Sequence, residues 1–117
     1  MTIGGNLRDT EVLVCVLLAE RAPLSLKDLG RWVGDLKAAF KSDREQGTLD
    51  EALHALEGCV DDVPKAVRML LERGVVERTG QSPREWQYKL SATFQSCNLP
   101  ARAISALRSR MERVRPG

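Results

Sequence analysis

The sequence has few of the residues that usually carry chemistry. Only three of its 117 residues are cysteine, and one is histidine. Cys15, Cys59 and Cys97 are odd in number and far apart, and none belongs to a C-x-x-C pair, so neither a disulfide framework nor a zinc ribbon is expected. His54 has no cysteine or carboxylate at metal-ligand spacing. We therefore expect buried thiols, no metal site and no cofactor.

Sequence motifs of catalysis are also missing. The chain has no G-x-G-x-x-G, no Walker loop and no G-x-S-x-G. The carboxylate pairs at residues 50–51 and 61–62 stand at predicted helix starts, where capping explains them. The sequence thus predicts no catalytic residue and a protein that is not an enzyme.

Long apolar runs are missing too. The longest extends from Val12 to Ala19, which is too short to span a bilayer, and the N-terminus lacks the pattern of a signal peptide. Apolar residues make up 43% of the chain and charged residues 29%, a balance typical of a folded domain. We expect a cytoplasmic protein with no membrane partner.

Residues 61–90 carry the clearest pattern that is present. Apolar residues at helical spacing predict an amphipathic helix over residues 62–73, and they are Val63, Val67, Leu70 and Leu71. Asp61 and Asp62 can cap its start, and Gly74 suits a left-handed cap at its end.

A hairpin is predicted directly after this helix. Its strands cover about residues 75–79 and 85–90, because Trp86, Tyr88 and Leu90 alternate with polar residues and a turn-rich T-G-Q-S-P-R segment precedes them. The order of helix, glycine and hairpin is that of the working half of a winged helix. In such a unit an exposed helix face fits a DNA major groove and the hairpin loop meets the flanking backbone.

Three more helices are predicted before this unit. Residues 9–21 are apolar nearly all round, which predicts a central, buried helix. A second helix covers residues 26–41 with Ser25 as its cap, and the following K-S-D-R-E-Q-G is a polar connection. Thr48 and Glu51 form a capping box for a third helix over residues 49–57. The predicted fold class is mainly α with a small β-hairpin.

A last helix is predicted within residues 98–117, after a winged-helix domain in residues 1–97. Its apolar residues follow the a/d spacing of a coiled-coil seam and are Ile104, Leu107, Met111 and Val114. Fewer than two heptads cannot hold a coiled coil alone. Either the seam pairs two chains, which predicts a homodimer with these four as dimerisation residues, or the helix folds back on the first helix.

The combined order resembles a known family. The S-L-K-D-L helix, the V-P-K-A-V-R-M-L-L-E-R-G-V-V-E-R helix and the E-W-Q-Y-K-L-S strand resemble the winged helix-turn-helix transcription regulators of the MarR and PadR type. In those families the recognition helix ends in a similar L-x-x-x-G phrase and the returning strand carries Y-x-L-[ST]. The resemblance implies sequence-specific binding of double-stranded DNA by helix 62–73 and wing 78–85, with a terminal dimerisation helix.

Under this resemblance the basic and polar residues of the helix and wing contact DNA. Arg68 is the candidate for a bidentate contact to guanine, and Arg78 and Arg84 would hold phosphates or reach the minor groove. The full set of predicted DNA-binding residues is Lys65, Arg68, Arg73, Arg78, Gln81, Ser82 and Arg84. The alternative is an ordinary solvated face with pairs inside the helix.

The charge distribution leaves a second function open. Residues 1–60 carry seven Lys and Arg against ten Asp and Glu, whereas residues 61–117 carry eleven against six, as a phosphate-facing half would need. However, Asp61 and Asp62 stand where base-reading residues usually lie, and residues 37–60 are longer than a helix-turn-helix connection. The alternative is a winged-helix protein-protein interaction module or assembly adaptor without sequence-specific DNA binding.

Overall fold

The fold is mainly helical with one antiparallel hairpin. The computed structural model describes residues 9–54, 62–92 and 101–114, and these ranges contain four α-helices and two strands. In chain order the elements are α1 (Asp9–Arg21), α2 (Leu26–Gln46), a 3-10 turn (Glu51–Leu53), α3 (Val63–Glu72), β1 (Val76–Thr79), β2 (Gln87–Leu90) and α4 (Ala101–Val114). The predicted mainly α class with a small hairpin is confirmed. Among the described helices, none has the length and apolar character needed to cross a membrane.

Helix α1 is the centre of the core, as its apolar circumference predicted. Every residue from Glu11 to Leu18 is buried, because α2, α3, α4 and β2 all pack around this helix. Cys15 is fully buried there, and burial, together with the nearby Glu11 carboxylate, raises the pKa of its thiol to about 12. The thiol is therefore protonated and unreactive at neutral pH. Cys59 and Cys97 lie outside the described residues.

Helix α2 is longer than the sequence predicted. It continues through the expected polar connection to Gln46 and ends at Gly47, whose φ of 73° gives a left-handed cap. The extension is stable because Asp43 takes the next inward position after Leu36 and Phe40, and it meets a cation from α4. The prediction that this helix ends near residue 41 was wrong because a charged residue fills a core-facing position.

The third predicted helix is also corrected. The Thr48 hydroxyl donates to the Asp43 carbonyl at 3.4 Å and so completes the end of α2, instead of capping a new helix. Asp50 is the cap, since its Oδ1 accepts the Ala52 N–H at 2.9 Å, and the turn that follows has 3-10 geometry. The remainder of the predicted helix 49–57 lies beyond His54, outside the described residues.

Helix α4 folds onto its own chain, the second of the two arrangements predicted for it. Leu107 and Met111 are 0% and 2% exposed in the core, while Ile104 and Val114 are partly buried against it. Leu107 and Met111, predicted as dimerisation residues, are therefore used within the chain. Of the four seam residues, only Ile104 and Val114 keep surface that a second chain could reach, and the homodimer stays a prediction.

Two ion pairs fix α4 in place. Arg110 donates from Nη2 to Asp43 Oδ1 at 3.2 Å, and its Nε lies 2.8 Å from Asp43 Oδ2, so the charged groups of α4 and α2 are in direct contact. Arg108 donates from Nε to Glu20 Oε1 at 2.8 Å and so ties α4 to the end of α1. Arg108 and Arg110 are therefore paired with carboxylates of their own chain.

Candidate nucleic-acid interface

Helix α3 forms from the signals the sequence predicted. Asp62 Oδ1 accepts the Lys65 N–H at 3.1 Å as an N-terminal cap, and the buried residues Val63, Ala66, Val67 and Leu70 face the core. At the other end Gly74 has a φ of 75° and donates its N–H to the Leu71 carbonyl at 3.1 Å. Asp61 lies outside the described residues.

The opposite face of α3 is solvent-exposed and carries both charge signs. Lys65, Arg68 and Glu72 are all exposed on it. In the described part of the chain, no carboxylate forms an ion pair with Lys65 or Arg68, so the intrahelical Arg68–Glu72 pair that the sequence allowed does not form. Both cations are therefore available to an external anion.

In the hairpin that follows α3, β2 has backbone partners on both of its edges. β1 pairs with β2 from Val76 opposite Leu90 to Thr79 opposite Gln87. On the other edge of β2, Leu24 and Tyr88 exchange backbone hydrogen bonds of 3.1 and 2.7 Å. β2 is thus joined to the segment that leads into α2. No sequence signal predicts this bridge, because a single paired residue has no periodicity.

A compact loop, residues 80–86, closes the hairpin, and we call it the wing loop. The Glu85 N–H donates to the Ser82 carbonyl at 2.9 Å, which makes a turn with Pro83 and Arg84 at its centre. Arg84 and Gln81 are exposed, whereas Ser82 is half-buried. Arg84, one of the predicted DNA-binding residues, therefore lies in a hydrogen-bonded turn.

Arg78 lies against an aromatic ring. Its guanidinium carbon is 3.7 Å from the centroid of the half-buried Trp86 ring, and the arginine remains exposed. Tyr88, directly opposite Arg78, is buried. The sequence identified both Arg78 and Trp86 but did not predict that they touch.

Arg73 differs from the other predicted DNA contacts. Its Nη1 lies 3.4 Å from Glu11 Oε1, and the glutamate side chain is only 5% exposed while the arginine side chain is 40% exposed. This pair joins the end of α3 to the first turn of α1. Because a buried carboxylate needs its cation, Arg73 has a structural role inside the chain. Neither residue had a sequence pattern that pointed to the other.

Gly80 should be required for the shape of the wing loop. Its φ is 111°, and a Cβ at this position would lie 2.5 Å from the Glu85 carbonyl oxygen, a backbone atom. We expect Gly80→Ala to lower the free energy of unfolding by about 2 kcal/mol, since both the backbone conformation and the contact oppose a side chain. Urea unfolding followed by circular dichroism measures the change.

Gly30→Ala is the matched control for this substitution. Gly30 lies in α2, and apart from the adjoining helix backbone and its two neighbours in sequence no atom comes within 4 Å of the place that an alanine Cβ would take, so alanine should stabilise the helix by up to about 1 kcal/mol. Equal effects of the two substitutions would contradict the tight geometry at Gly80.

The described residues provide no metal site beside this interface. Within residues 9–54, 62–92 and 101–114 no group of three His, Cys, Asp or Glu residues could hold a metal ion, and His54 is exposed. Comparisons with protein-family models, curated proteins and solved structures found no match.

Proposed function

We propose that the chain is a winged-helix transcriptional regulator that binds specific sites in double-stranded DNA through α3 and the hairpin. The observation that carries the proposal is the set of exposed cations on these two elements. Lys65 and Arg68 on α3 and Arg78 and Arg84 on the hairpin are exposed, and no carboxylate of the described residues pairs with them. Exposed Lys and Arg on adjoining elements provide the counterion release that drives nucleic-acid binding.

The order of elements supports the same proposal. The helices α1, α2 and α3 are followed by the hairpin. Leu24 pairs with β2 on the edge opposite β1, as a short third strand would. In the proposed complex the outward face of α3 enters the major groove, where Arg68 reads guanine and Lys65 contacts phosphate. Arg78, Arg84, Gln81 and Ser82 meet the flanking backbone or minor groove. This is the arrangement of the MarR and PadR type regulators that the sequence resembles.

The cap of α3 shifts the expected contacts away from its first turn. Asp62 already accepts the Lys65 N–H, so its carboxylate takes the place that a phosphate could occupy at the helix start. Base reading therefore falls to side chains further along the helix, chiefly Arg68. We also propose that the regulator works in the cytoplasm as a homodimer, since paired half-sites suit two such units.

A second candidate function is a protein-protein interaction module or assembly adaptor. It is favoured by the near balance of charge over residues 62–92, where six Lys and Arg face four Asp and Glu. Glu72, Glu77 and Glu85 are exposed beside the cations. A surface of both signs suits a protein partner of mixed charge, for which the same α3 face would serve.

Selection of bound fragments from a genomic or random duplex pool tests the DNA proposal. We expect an enriched sequence, and the logarithm of affinity should fall with the logarithm of salt concentration with a slope of about −2.7 per protomer if Lys65, Arg78 and Arg84 meet phosphate. Arg68→Ala should weaken binding by about tenfold and relax the preference at one position. Arg84→Ala should weaken binding to all sequences and reduce the slope by about 1.

Arg102→Ala is the control for these variants. Arg102 is an exposed arginine on α4, so its loss changes net charge equally but should leave affinity and slope nearly unchanged. The DNA proposal fails if no sequence is enriched, or if Arg68→Ala and Arg84→Ala bind like the wild type. Weak, sequence-indifferent binding would favour the adaptor.

A further inference from the structure

We propose that Trp86 is a positioning residue that holds the Arg78 guanidinium flat, so that the hairpin presents its N–H edge to a DNA phosphate. This inference rests on the proposed DNA-binding function and assigns a role to an aromatic residue outside the predicted DNA contacts. It also separates Arg78 from Arg68 and Arg84, because only Arg78 of these three lies against an aromatic ring before any partner binds.

Strand register explains why the two side chains meet. Arg78 is directly opposite Tyr88 in the hairpin, and Trp86 precedes Tyr88 by two residues. Residues two apart in an extended segment point to the same side, so Arg78 and Trp86 are diagonal neighbours on one face. Tyr88 is buried on that face, and Trp86 continues the face into the wing loop. The arginine covers the ring where the face leaves the core.

The wing loop keeps Trp86 in this place. Gly80 approaches the Glu85 backbone so closely that no side chain fits between them, and the Ser82–Glu85 hydrogen bond closes the turn. Glu85 is the residue directly before Trp86, so these contacts fix where the indole ring begins. The ring is half-buried, which leaves it less freedom than an exposed side chain has.

With its carbon 3.7 Å over the Trp86 ring, the guanidinium can still bind an anion. Its N–H donors lie in the plane of the group, whereas contact with the ring uses one of its flat sides. No carboxylate of the described residues pairs with Arg78. Glu77, the residue before it, pairs with Lys89 instead, at 3.9 Å between Oε2 and Nζ. An arginine that is already ordered loses less conformational freedom when it meets phosphate. Trp86 would thereby raise affinity without touching DNA.

Titration of the selected duplex by fluorescence anisotropy over a range of salt concentrations tests the inference. Arg78→Ala should weaken binding by about tenfold and reduce the salt slope by about 0.9, the loss of one phosphate contact. Trp86→Ala should weaken binding by about two- to fivefold, the range of an exposed cation–π contact. The double variant should bind no worse than Arg78→Ala within about twofold, because Trp86 acts only through Arg78.

Conservative variants separate positioning from folding. Trp86→Phe keeps an aromatic face and should restore most of the affinity lost in Trp86→Ala. Arg78→Lys keeps the charge but cannot lie flat with a fork of donors, so it should keep the salt slope and still lose affinity. Arg21→Ala is a matched control, since Arg21 lies over Trp32 at 5.9 Å on other elements, and it should leave affinity and slope unchanged.

Each outcome bears on one proposal or the other. If the wild type selects a sequence and Arg84→Ala weakens binding, but Trp86→Ala and Trp86→Phe bind like the wild type, the positioning role is overturned and DNA binding stands. Additive losses in the double variant would overturn it as well. If Trp86→Ala does not fold, the other two variants decide. The positioning role is then overturned if Trp86→Phe and Arg78→Lys both bind the duplex as tightly as the wild type does. A wild type that selects no sequence ends the DNA proposal and this inference together.

Discussion

Leu107→Ala is expected to lower the free energy of unfolding by about 3 kcal/mol, the range found for leucine deletions in well-packed cores. Leu107 is fully buried, and α4 packs against α1, α2 and the 3-10 turn at once. Removing its side chain leaves a cavity that three separate elements would have to close. For a domain of this size the melting temperature should fall by roughly 10–20 °C. Urea unfolding at several protein concentrations measures the loss.

Ser105→Ala provides the control on the same helix. Ser105 is exposed, so the substitution should change stability by less than about 0.5 kcal/mol. A loss below about 1 kcal/mol for Leu107→Ala would contradict the packing of α4 on its own chain. An unfolding midpoint that rises with protein concentration would instead indicate that folding is linked to assembly, as the predicted homodimer requires.

The α4 seam illustrates what apolar spacing can and cannot predict. Spacing correctly predicted a helix with one apolar side at Ile104, Leu107, Met111 and Val114. The same spacing fits a helix that packs on a second chain or on its own core. The choice depends on residues distant in sequence, such as Glu20 and Asp43, which meet Arg108 and Arg110. No local pattern contains that information.

Asp43→Ala is expected to destabilise the fold by about 3–5 kcal/mol, the usual cost of removing one partner from a buried ion pair. The side chains of Asp43 and Arg110 are only 10% and 16% exposed. Loss of the carboxylate leaves the Arg110 guanidinium with little water and no counter-charge at the junction of α2 and α4. Chemical denaturation of the single variant measures this cost.

The double substitution Asp43→Leu with Arg110→Met tests whether the ion pair itself stabilises the fold, or whether the fold is only destabilised when one charge is left without the other. Apolar residues of similar volume should recover most of the stability lost in Asp43→Ala, because both desolvated charges are removed together. Glu77→Ala is the control, since the Glu77–Lys89 pair is about half exposed and its loss should cost less than about 1 kcal/mol. Equal costs for Asp43→Ala and Glu77→Ala would refute the distinction.

Asp43 also explains why the sequence underestimated α2. The inward positions of this helix run through Leu29, Val33, Leu36 and Phe40 to Asp43, and hydropathy identifies only the apolar members. The glycine that ends the helix, Gly47, was visible in the sequence as part of a polar connection. A carboxylate in a core-facing position becomes intelligible only when its arginine partner on α4 is known.

For the candidate site, as for α2 and α4, the sequence predicted the elements but not the contacts between them. Local signals were sufficient for α3, since Asp62, the apolar stripe and Gly74 act within the helix itself. They also located the hairpin, whose strands begin one or two residues later than predicted and end at the predicted residues. Leu24, the Arg78–Trp86 contact and the Arg73–Glu11 pair could not be predicted, because each joins residues that only the fold brings together.

The central position of α1 has a consequence for protein synthesis. Val12 to Leu18 is an uncharged, partly β-branched segment, and the elements that cover it follow it in the chain and are made afterwards. Until α4 leaves the ribosome, the Glu20–Arg108 pair cannot form and one side of this segment has no cover. Such segments associate readily when exposed in a nascent chain. Production of the chain without α4 should therefore favour inclusion bodies and recruitment of chaperones.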